Sequence, residues 1–169
     1  MRVLIVADTH GLIDPRIVAL AAGCDQVAHA GDVGSAAVLG DLRNACPRVA
    51  AVCGNNDVPA KWAGAERSIL DQLPQVAELS LPGGVLVIVH GDTFPAKSRH
   101  AGMRMRYPAA RAIAYGHSHR IIIDDNVLPW VINPGAAGRT RTYGGPSGLI
   151  LEADADRWQV EAVRFPPLV

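Results

Sequence analysis

Aspartate, asparagine and histidine recur at one kind of position in this sequence, directly after a short apolar run. The pattern appears at five junctions, which read VLIVADTHG, VAHAGD, VAAVCGNND, VIVHGDTF and AIAYGHSH. Carboxylate, amide and imidazole groups are donors to divalent metal ions. Taken singly, such residues are usually helix caps, turn formers or ordinary loop residues, so the repetition carries the prediction of a metal site.

The polar residues at these junctions need a shared partner. Two carboxylates, one amide and four imidazoles that converge in one cleft would otherwise lack partners. A pair of divalent ions satisfies them, because in a two-metal centre the ions lie roughly 3.5–4 Å apart and hold the oxygens of an in-line displacement at phosphorus. The donor types leave manganese, iron, zinc and nickel open. The candidate ligands are Asp8, His10, Asp32, Asn55, His90, His117 and His119.

The elements that must position these residues alternate in the first third of the chain. Strand-like runs at 2–7, 26–30 and 48–53 alternate with helix-like segments at 15–22 and 35–44. This spacing is typical of parallel strands with crossover helices, and continuous apolar runs suit strands covered on both faces. Loops at the carboxyl ends of such strands share one edge, so we expect the candidate ligands to meet there.

The second half of the chain has a different arrangement of turn residues between its apolar runs. ELSLPGGVLVIVH places residues 82–84 between two apolar runs, which predicts a hairpin. Residues 95–107 are the last predicted helix, and short strands with turns at 125–126 and 154–156 follow. We predict an α/β fold of two packed sheets with helices outside, in a single domain at 1–169.

Composition and charge exclude several classes of protein. Sixteen basic residues balance sixteen acidic ones among 169, so no nucleic-acid-binding surface or anionic-membrane partner is expected. The apolar stretch from Val3 to Ala7 is too short for a signal-peptide core or a membrane span, and we expect a cytoplasmic protein. Cys24, Cys46 and Cys53 lack a CxxC spacing. We therefore expect them to be small buried residues in a reducing compartment.

Taken together, the motifs resemble those of the calcineurin-like metallophosphoesterases. Asp8-x-His10, Gly31-Asp32, Gly54-Asn55-Asn56-Asp57, His90-Gly91 and Gly116-His117-Ser118-His119 occur in the family's order and rough spacing. The chain is more closely similar to the small bacterial and archaeal phosphodiesterases of the YfcE type, from residue 1 to about Arg141, including INPGAAGRTR. The resemblance implies a four-layer α-β-β-α sandwich of two mixed sheets, with the site at the sheet ends.

The resemblance also implies a role for each ligand. Asp8, His10, Asp32 and His119 would hold a first metal ion, and Asp32 would bridge to a second ion held by Asn55, His90 and His117. We expect two divalent ions, manganese first, with iron, zinc, nickel or magnesium as alternatives. A water bridging them would attack phosphorus in a small or nucleotide-like phosphodiester. Relatives often form dimers or tetramers, so a homo-oligomer is also expected.

Four further positions modify this expectation. Asn56 stands where larger phosphoesterases have a histidine that resembles a general acid, and an amide cannot donate a titrating proton. Asp57 is expected to orient a neighbouring ligand or backbone group rather than to bind metal. Arg139 and Arg141 either hold a substrate phosphate through a guanidinium fork or are surface arginines.

Other residues near the motifs receive structural interpretations. His29 is expected to lie in the core, and His100 on a solvent-exposed helix face. The glycines beside the ligands are expected to allow tight bends at the strand ends. They are Gly31, Gly54, Gly91 and Gly116.

Two other functions stay open. The same small fold resembles the retromer subunit of the Vps29 type, a non-catalytic protein-binding scaffold. Scaffold relatives have altered site residues, whereas this chain keeps every expected donor. A phosphomonoesterase is disfavoured by the short chain and by Asn56.

Overall fold

The computed structural model describes residues 1–62 and 64–167. The predicted domain at 1–169 therefore includes residues 63, 168 and 169, which lie outside the described part. In chain order the elements are β1 (Arg2–Val6), α1 (Pro15–Ala21), β2 (Gln26–His29), α2 (Ala36–Ala45), β3 (Val49–Ala51), α3 (Arg67–Leu70), β4 (Val76–Leu81), β5 (Gly84–Val89), α4 (Arg99–Arg106), β6 (Ala112–Tyr115), β7 (Ile121–Asp124), β8 (Trp130–Pro134), β9 (Ser147–Ala153) and β10 (Trp158–Arg164).

The strands form two mixed sheets of five strands each. The first sheet has the order β10-β9-β1-β2-β3. Its strands β1, β2 and β3 pair in parallel, and β9 pairs antiparallel with both β1 and β10. In the second, with order β4-β5-β6-β8-β7, the central strands β5, β6 and β8 are parallel and both edge strands are antiparallel. The predicted α/β fold with two packed sheets is confirmed.

Three apolar layers hold the sheets and helices together. Ile5 and Ile88 lie in the layer between the two sheets. Leu4 points to the opposite face of the first sheet and packs with residues of α1 and α2, while Val87 packs with Met103 of α4 beyond the second sheet. Both faces of the central strands are buried, which is why their sequences are apolar without alternation. This is the expected α-β-β-α sandwich.

The parallel strands that precede the candidate ligands end at a common edge. Val6 pairs with His29 in the register of β1 and β2, and His29 pairs with Ala51 of β3. In the second sheet, Val89 pairs with Tyr115 at the ends of β5 and β6. All five candidate-bearing loops start within a few residues of these pairs.

The hairpin and last helix match their predictions closely. Leu81 pairs with Gly84 at the tip of the β4–β5 hairpin. The segment predicted as a helix begins with a 3₁₀ turn at Ala96–Ser98 and continues as α4. No helix in the described part of the chain is long and apolar enough to cross a membrane.

The expectation that His100 is solvent-exposed is wrong. Its side chain is half-buried, with Nδ1 2.7 Å from Asp124 Oδ2 and Nε2 3.2 Å from the Tyr115 hydroxyl. Arg104 forms an ion pair of 2.9 Å with the same Asp124 carboxylate. These contacts join α4 to β7, a pairing across 24 residues that helix periodicity does not reveal.

Candidate metal centre

The first half of the site joins the loop after β1 to the loop after β6. His10 Nε2 lies 3.2 Å from His119 Nε2, and His119 Nε2 lies 3.5 Å from Asp8 Oδ1. One donor atom from each of the three residues falls within 4.8 Å of the others. Two imidazole nitrogens and a carboxylate oxygen at these separations fit a shared cation.

The second half joins the loops after β2, β3, β5 and β6. Asn55 Oδ1 lies 3.0 Å from both His90 Nε2 and His117 Nδ1. Asp32 Oδ2 lies 3.4 Å from His90 Nε2 and 3.8 Å from His10 Nε2. Asp32 therefore contacts both halves, and the structure brings the seven candidate ligands together in one cluster.

Five of the candidate ligands have a left-handed backbone. The φ angles are 55° at Asp8, 49° at His10, 54° at Asp32, 65° at His117 and 57° at His119. Residues other than glycine rarely adopt this region, and such conformations persist where the surroundings over-determine them. Backbone hydrogen bonds from Asp8 N to Gly31 O and from His10 N to Asp32 O hold two of these turns.

The glycines beside the ligands are required for two different reasons. Gly31 and Gly91 have φ of 86° and 94°, which fits the predicted tight bends. Gly54 and Gly116 do not have a positive φ; a Cβ at Gly54 would overlap the backbone nitrogen and carboxylate of Asp32, and one at Gly116 would lie 2.8 Å from a backbone oxygen of the first sheet. At these two positions the constraint is close packing of neighbouring loops.

Asp57 joins two of the site's loops. Its Oδ1 accepts hydrogen bonds from Gly34 N at 2.8 Å and Trp62 Nε1 at 3.2 Å. Its Oδ2 accepts from Val33 N at 3.0 Å and Gly54 N at 2.9 Å. The nearly buried carboxylate thus fixes the loops that carry Asp32 and Asn55.

Asn56 is directed at the central carboxylate. Its backbone N–H donates to Asp32 Oδ1 and its Nδ2 donates to Asp32 Oδ2, both at 2.8 Å. Its Oδ1 accepts from Lys61 Nζ at 2.9 Å. The Asn56 side chain therefore holds Asp32 in place.

Contacts away from the cluster orient the imidazoles. His90 Nδ1 lies 2.9 Å from Ala30 O, which directs Nε2 toward Asp32. Asn133 Nδ2 donates to Gly116 O at 2.7 Å and to Ser118 Oγ at 3.1 Å, which fixes the loop of His117 and His119. Asn133 was not predicted from the sequence to support the site, although its NPGA turn lies within the segment that resembles the family.

Burial and neighbouring groups shift the pKa values of Asp8 and Asp32 in opposite directions. Burial raises the pKa of Asp8 to about 7, with the charge of His90 opposing and that of Asp32 adding to the rise. Burial acts in the same direction on Asp32, but hydrogen bonds and charge from His90 and hydrogen bonds from Asn56 outweigh it and hold the Asp32 pKa well below its usual range. Asp32 is therefore an anion at neutral pH.

Most of the imidazoles are neutral at neutral pH. Burial lowers the pKa of His10 and His117, and burial with the charge of Arg141 lowers that of His119 to about 4. At His90 burial opposes protonation, but the contact with Asp32 outweighs it and raises the pKa. Neutral imidazoles present free lone pairs, the state that metal binding requires.

The buried Asp8 Oδ2 indicates that the cluster is suited to binding a cation. Asp8 is fully buried, and its Oδ2 has no hydrogen-bond partner among the described residues. Asp8, Asp32 and His90 also offer donor atoms within 4.8 Å of one another. A buried acceptor without a donor is costly, and a divalent ion would satisfy it, so the residues present fit a metal centre.

Cationic side chains lie beside the cluster. Arg141 Nη2 lies 3.1 Å from His119 Nε2. Arg139 is exposed, and no hydrogen bond or ion pair joins it to a ligand in the described part of the chain, so the structure brings only one of the two predicted arginines to the site. Lys61 reaches the site through Asn56 and was missed, because its loop follows no helical or strand period.

His29 lies behind the cluster as expected. It is fully buried, and its Nε2 lies 2.9 Å from Thr9 Oγ1, while Thr9 Oγ1 donates to Val33 O at 2.9 Å. Burial lowers the His29 pKa to about 4. This neutral pair supports the loop between Asp8 and His10.

The sequence matches one family model across most of its length. The model of the calcineurin-like phosphoesterase superfamily domain matches residues 1–156. No protein with a curated description matches the chain.

Solved structures share the fold at low identity. Wild-type Vps29 from Entamoeba histolytica, complexed with zinc, is 17% identical with a TM-score of 0.75, covering 98% of this chain and 99% of that one. An archaeal phosphodiesterase is 22% identical with a TM-score of 0.70, covering 96% of this chain and 100% of that one. A predicted phosphoesterase from Streptococcus pneumoniae is 20% identical with a TM-score of 0.67, covering 96% and 88%.

Proposed function

Because the chain belongs to the calcineurin-like phosphoesterase superfamily, we propose that it is a metal-dependent phosphodiesterase acting on a small or nucleotide-like phosphodiester. The observation that carries the proposal is the convergence of carboxylate, amide and imidazole donors around Asp32, together with the buried Asp8 Oδ2, which has no hydrogen-bond partner among the residues that the structure describes. Such a set of donors suits divalent cations, and two adjacent cations suit a displacement at phosphorus.

The proposed assignment of ligands follows the two halves of the cluster. The first ion would be held by Asp8, His10, Asp32 and His119. The second would be held by Asp32, Asn55, His90 and His117. We propose manganese, with iron, zinc, nickel or magnesium as alternatives. When bound, two divalent ions lower the pKa of a water and neutralise charge on phosphoryl oxygens.

The chain's own residues would hold and orient the substrate. The Arg141 guanidinium lies beside His119 and would donate hydrogen bonds to a phosphoryl oxygen. Asp57 and Asn56 keep the Asp32 carboxylate in one orientation, which pre-organises the centre. No side chain has to form a covalent bond to phosphorus in this scheme.

The proposal favours diesters over monoesters. The side chain next to Asp32 is the amide of Asn56, which is committed to holding that carboxylate and has no titrating proton.

A protein-binding scaffold is the second candidate, favoured by the structural similarity to Vps29. Because one Vps29 structure contains zinc, metal binding alone does not distinguish an enzyme from a scaffold. The proposed partner of an enzyme is a small phosphodiester, whereas a scaffold would bind protein. Turnover is therefore the deciding measurement.

The experiment compares bis(4-nitrophenyl) phosphate with 4-nitrophenyl phosphate. Protein stripped by a chelator is assayed after separate addition of manganese, iron, nickel, zinc or magnesium. The Asp32→Ala, His90→Ala double variant is the blank, and each sample's metal content is measured. We expect metal-restored hydrolysis of the diester that exceeds that of the monoester and is absent from the variant.

Two results would contradict the proposal. A wild-type protein that is loaded with metal but hydrolyses neither ester, with unactivated nucleotide diesters also intact, would favour the scaffold. A higher rate on the monoester than on the diester would identify a phosphomonoesterase instead.

A further inference from the structure

Lys61 contacts the candidate site through Asn56, the residue that stands where larger phosphoesterases have a histidine. Asn56 donates a hydrogen bond from Nδ2 to Asp32. The carbonyl oxygen of the same amide therefore points away from Asp32, and it accepts a hydrogen bond from Lys61 Nζ at 2.9 Å. The ammonium thus lies two hydrogen bonds from the carboxylate shared by both halves of the cluster.

The backbone that carries Lys61 is anchored to the frame of the site. Lys61 ends the 3₁₀ helix Pro59–Lys61, and its N–H donates to Val58 O at 2.9 Å. The next residue, Trp62, is only 1% exposed and donates from Nε1 to Asp57 at 3.2 Å. Since Asp57 also holds the loops of Asp32 and Asn55, the base of the lysine side chain has a defined position relative to the cluster.

Two cationic side chains approach the cluster at different residues. Arg141 approaches the cluster at His119, whereas Lys61 approaches it at Asn56. A substrate seated over the cluster would therefore have a cation at each of these positions.

We propose that the Lys61 ammonium donates a hydrogen bond to the leaving oxygen of the phosphodiester, which would make Lys61 a catalytic residue. The inference rests on the phosphodiesterase function proposed above. The oxygen of a water forms a bond to phosphorus, the bond from phosphorus to the leaving oxygen breaks, and the leaving oxygen keeps that electron pair. The water loses one proton and the leaving group gains one, and the ammonium stabilises the negative charge before that proton arrives.

The chemistry of lysine suits this role. An ammonium has three N–H donors, and Asn56 Oδ1 occupies one of them. The flexible four-carbon stem lets the exposed ammonium move from the amide to a substrate oxygen while the backbone stays fixed. A solvated surface lysine would lack both the anchored backbone and the contact with Asn56.

The test is a series of aryl and alkyl phosphodiesters whose leaving groups span a range of pKa. Lys61→Ala, Lys61→Arg and wild type are compared in the metal-loaded state. The matched control is Lys97→Ala, because Lys97 is the chain's other lysine and also lies exposed in a 3₁₀ turn. We expect Lys61→Ala to lose less than about threefold in kcat/KM with 4-nitrophenolate as leaving group, and about 10²-fold or more with an alkoxide.

Further measurements separate this role from a structural one. Lys61→Ala should keep the metal content and unfolding temperature of wild type, Lys61→Arg should keep most of the alkoxide activity, and Lys97→Ala should match wild type throughout. An equal loss for all leaving groups, or no loss, would overturn the role of Lys61 while leaving the phosphodiesterase intact. Wild-type protein that hydrolyses no diester of the series would overturn both proposals.

Discussion

Replacing Asp57 by asparagine would preserve the shape of this side chain and remove half of its acceptors. Each carboxylate oxygen accepts two hydrogen bonds, Oδ1 from Gly34 N and Trp62 Nε1, and Oδ2 from Val33 N and Gly54 N. An amide offers one oxygen and one NH₂ group. Whichever way it turns, two N–H donors lose their acceptor and face another donor.

The magnitude follows from that count. A buried donor left without an acceptor costs about 1–3 kcal/mol, so two cost roughly 2–6 kcal/mol of the free energy of unfolding. A chain of this size loses ~2–4 °C of unfolding temperature per kcal/mol, which predicts a fall of roughly 4–24 °C.

The assay is urea and thermal unfolding of metal-free protein, followed by circular dichroism. The control is Asp41→Asn, which makes the same chemical change on the exposed face of α2 and should shift stability by less than ~0.5 kcal/mol. A loss of less than about 1 kcal/mol for Asp57→Asn, or one equal to that of the control, would refute the four-bond account of Asp57.

Three further predictions concern the packing, the acid sensitivity and the metal dependence of the chain. Gly54→Ala would push a Cβ into Asp32 and should lower the affinity for Mn²⁺ at least ~10-fold by titration calorimetry. Gly40→Ala, in open space on α2, should bind Mn²⁺ as wild type does. Hydrogen bonds from Arg16 hold the pKa of Asp14 below its usual value, so this contribution to stability is complete above about pH 4 and disappears as pH falls through the lowered pKa. Asp14→Asn should therefore be ~1–2 kcal/mol less stable than wild type at pH 7, and the gap should narrow below pH 4; a constant gap would contradict the linkage. Mn²⁺ at 100 times its dissociation constant should stabilise the protein by ~2.7 kcal/mol for each ion bound, and Asp32→Ala should remove that gain; equal stabilisation of the variant would place the ions elsewhere.

The strand-end positions of the site could be predicted because they follow a local rule. An apolar run followed at once by Asp8 or His90 indicates both the strand and the point where it ends. Parallel register then brings those ends together, with Val6 opposite His29. The convergence of the candidate ligands follows from these two facts, while their metal-binding roles stay predictions.

The parts that could not be predicted depend on contacts distant in sequence. Residues 52–62, which follow β3, have no helical or strand period, and their course is set by burial of Trp62 and its hydrogen bond to Asp57. Lys61 was missed for that reason. His100 was misplaced because its partner Asp124 lies on a strand that packs beside its helix, and the constraint at Gly54 is visible only when the neighbouring loop is present.

The left-handed turns at the site set stability against ion binding. A left-handed conformation costs a non-glycine residue on the order of 1 kcal/mol, and five candidate ligands adopt it, Asp8 and His119 among them. Glycine at any of these positions would relieve the backbone and delete a donor in the same mutation. Such a variant is therefore expected to lose affinity for a divalent ion without a matching loss of stability, so the most stable sequence for these turns is not the one that binds an ion best.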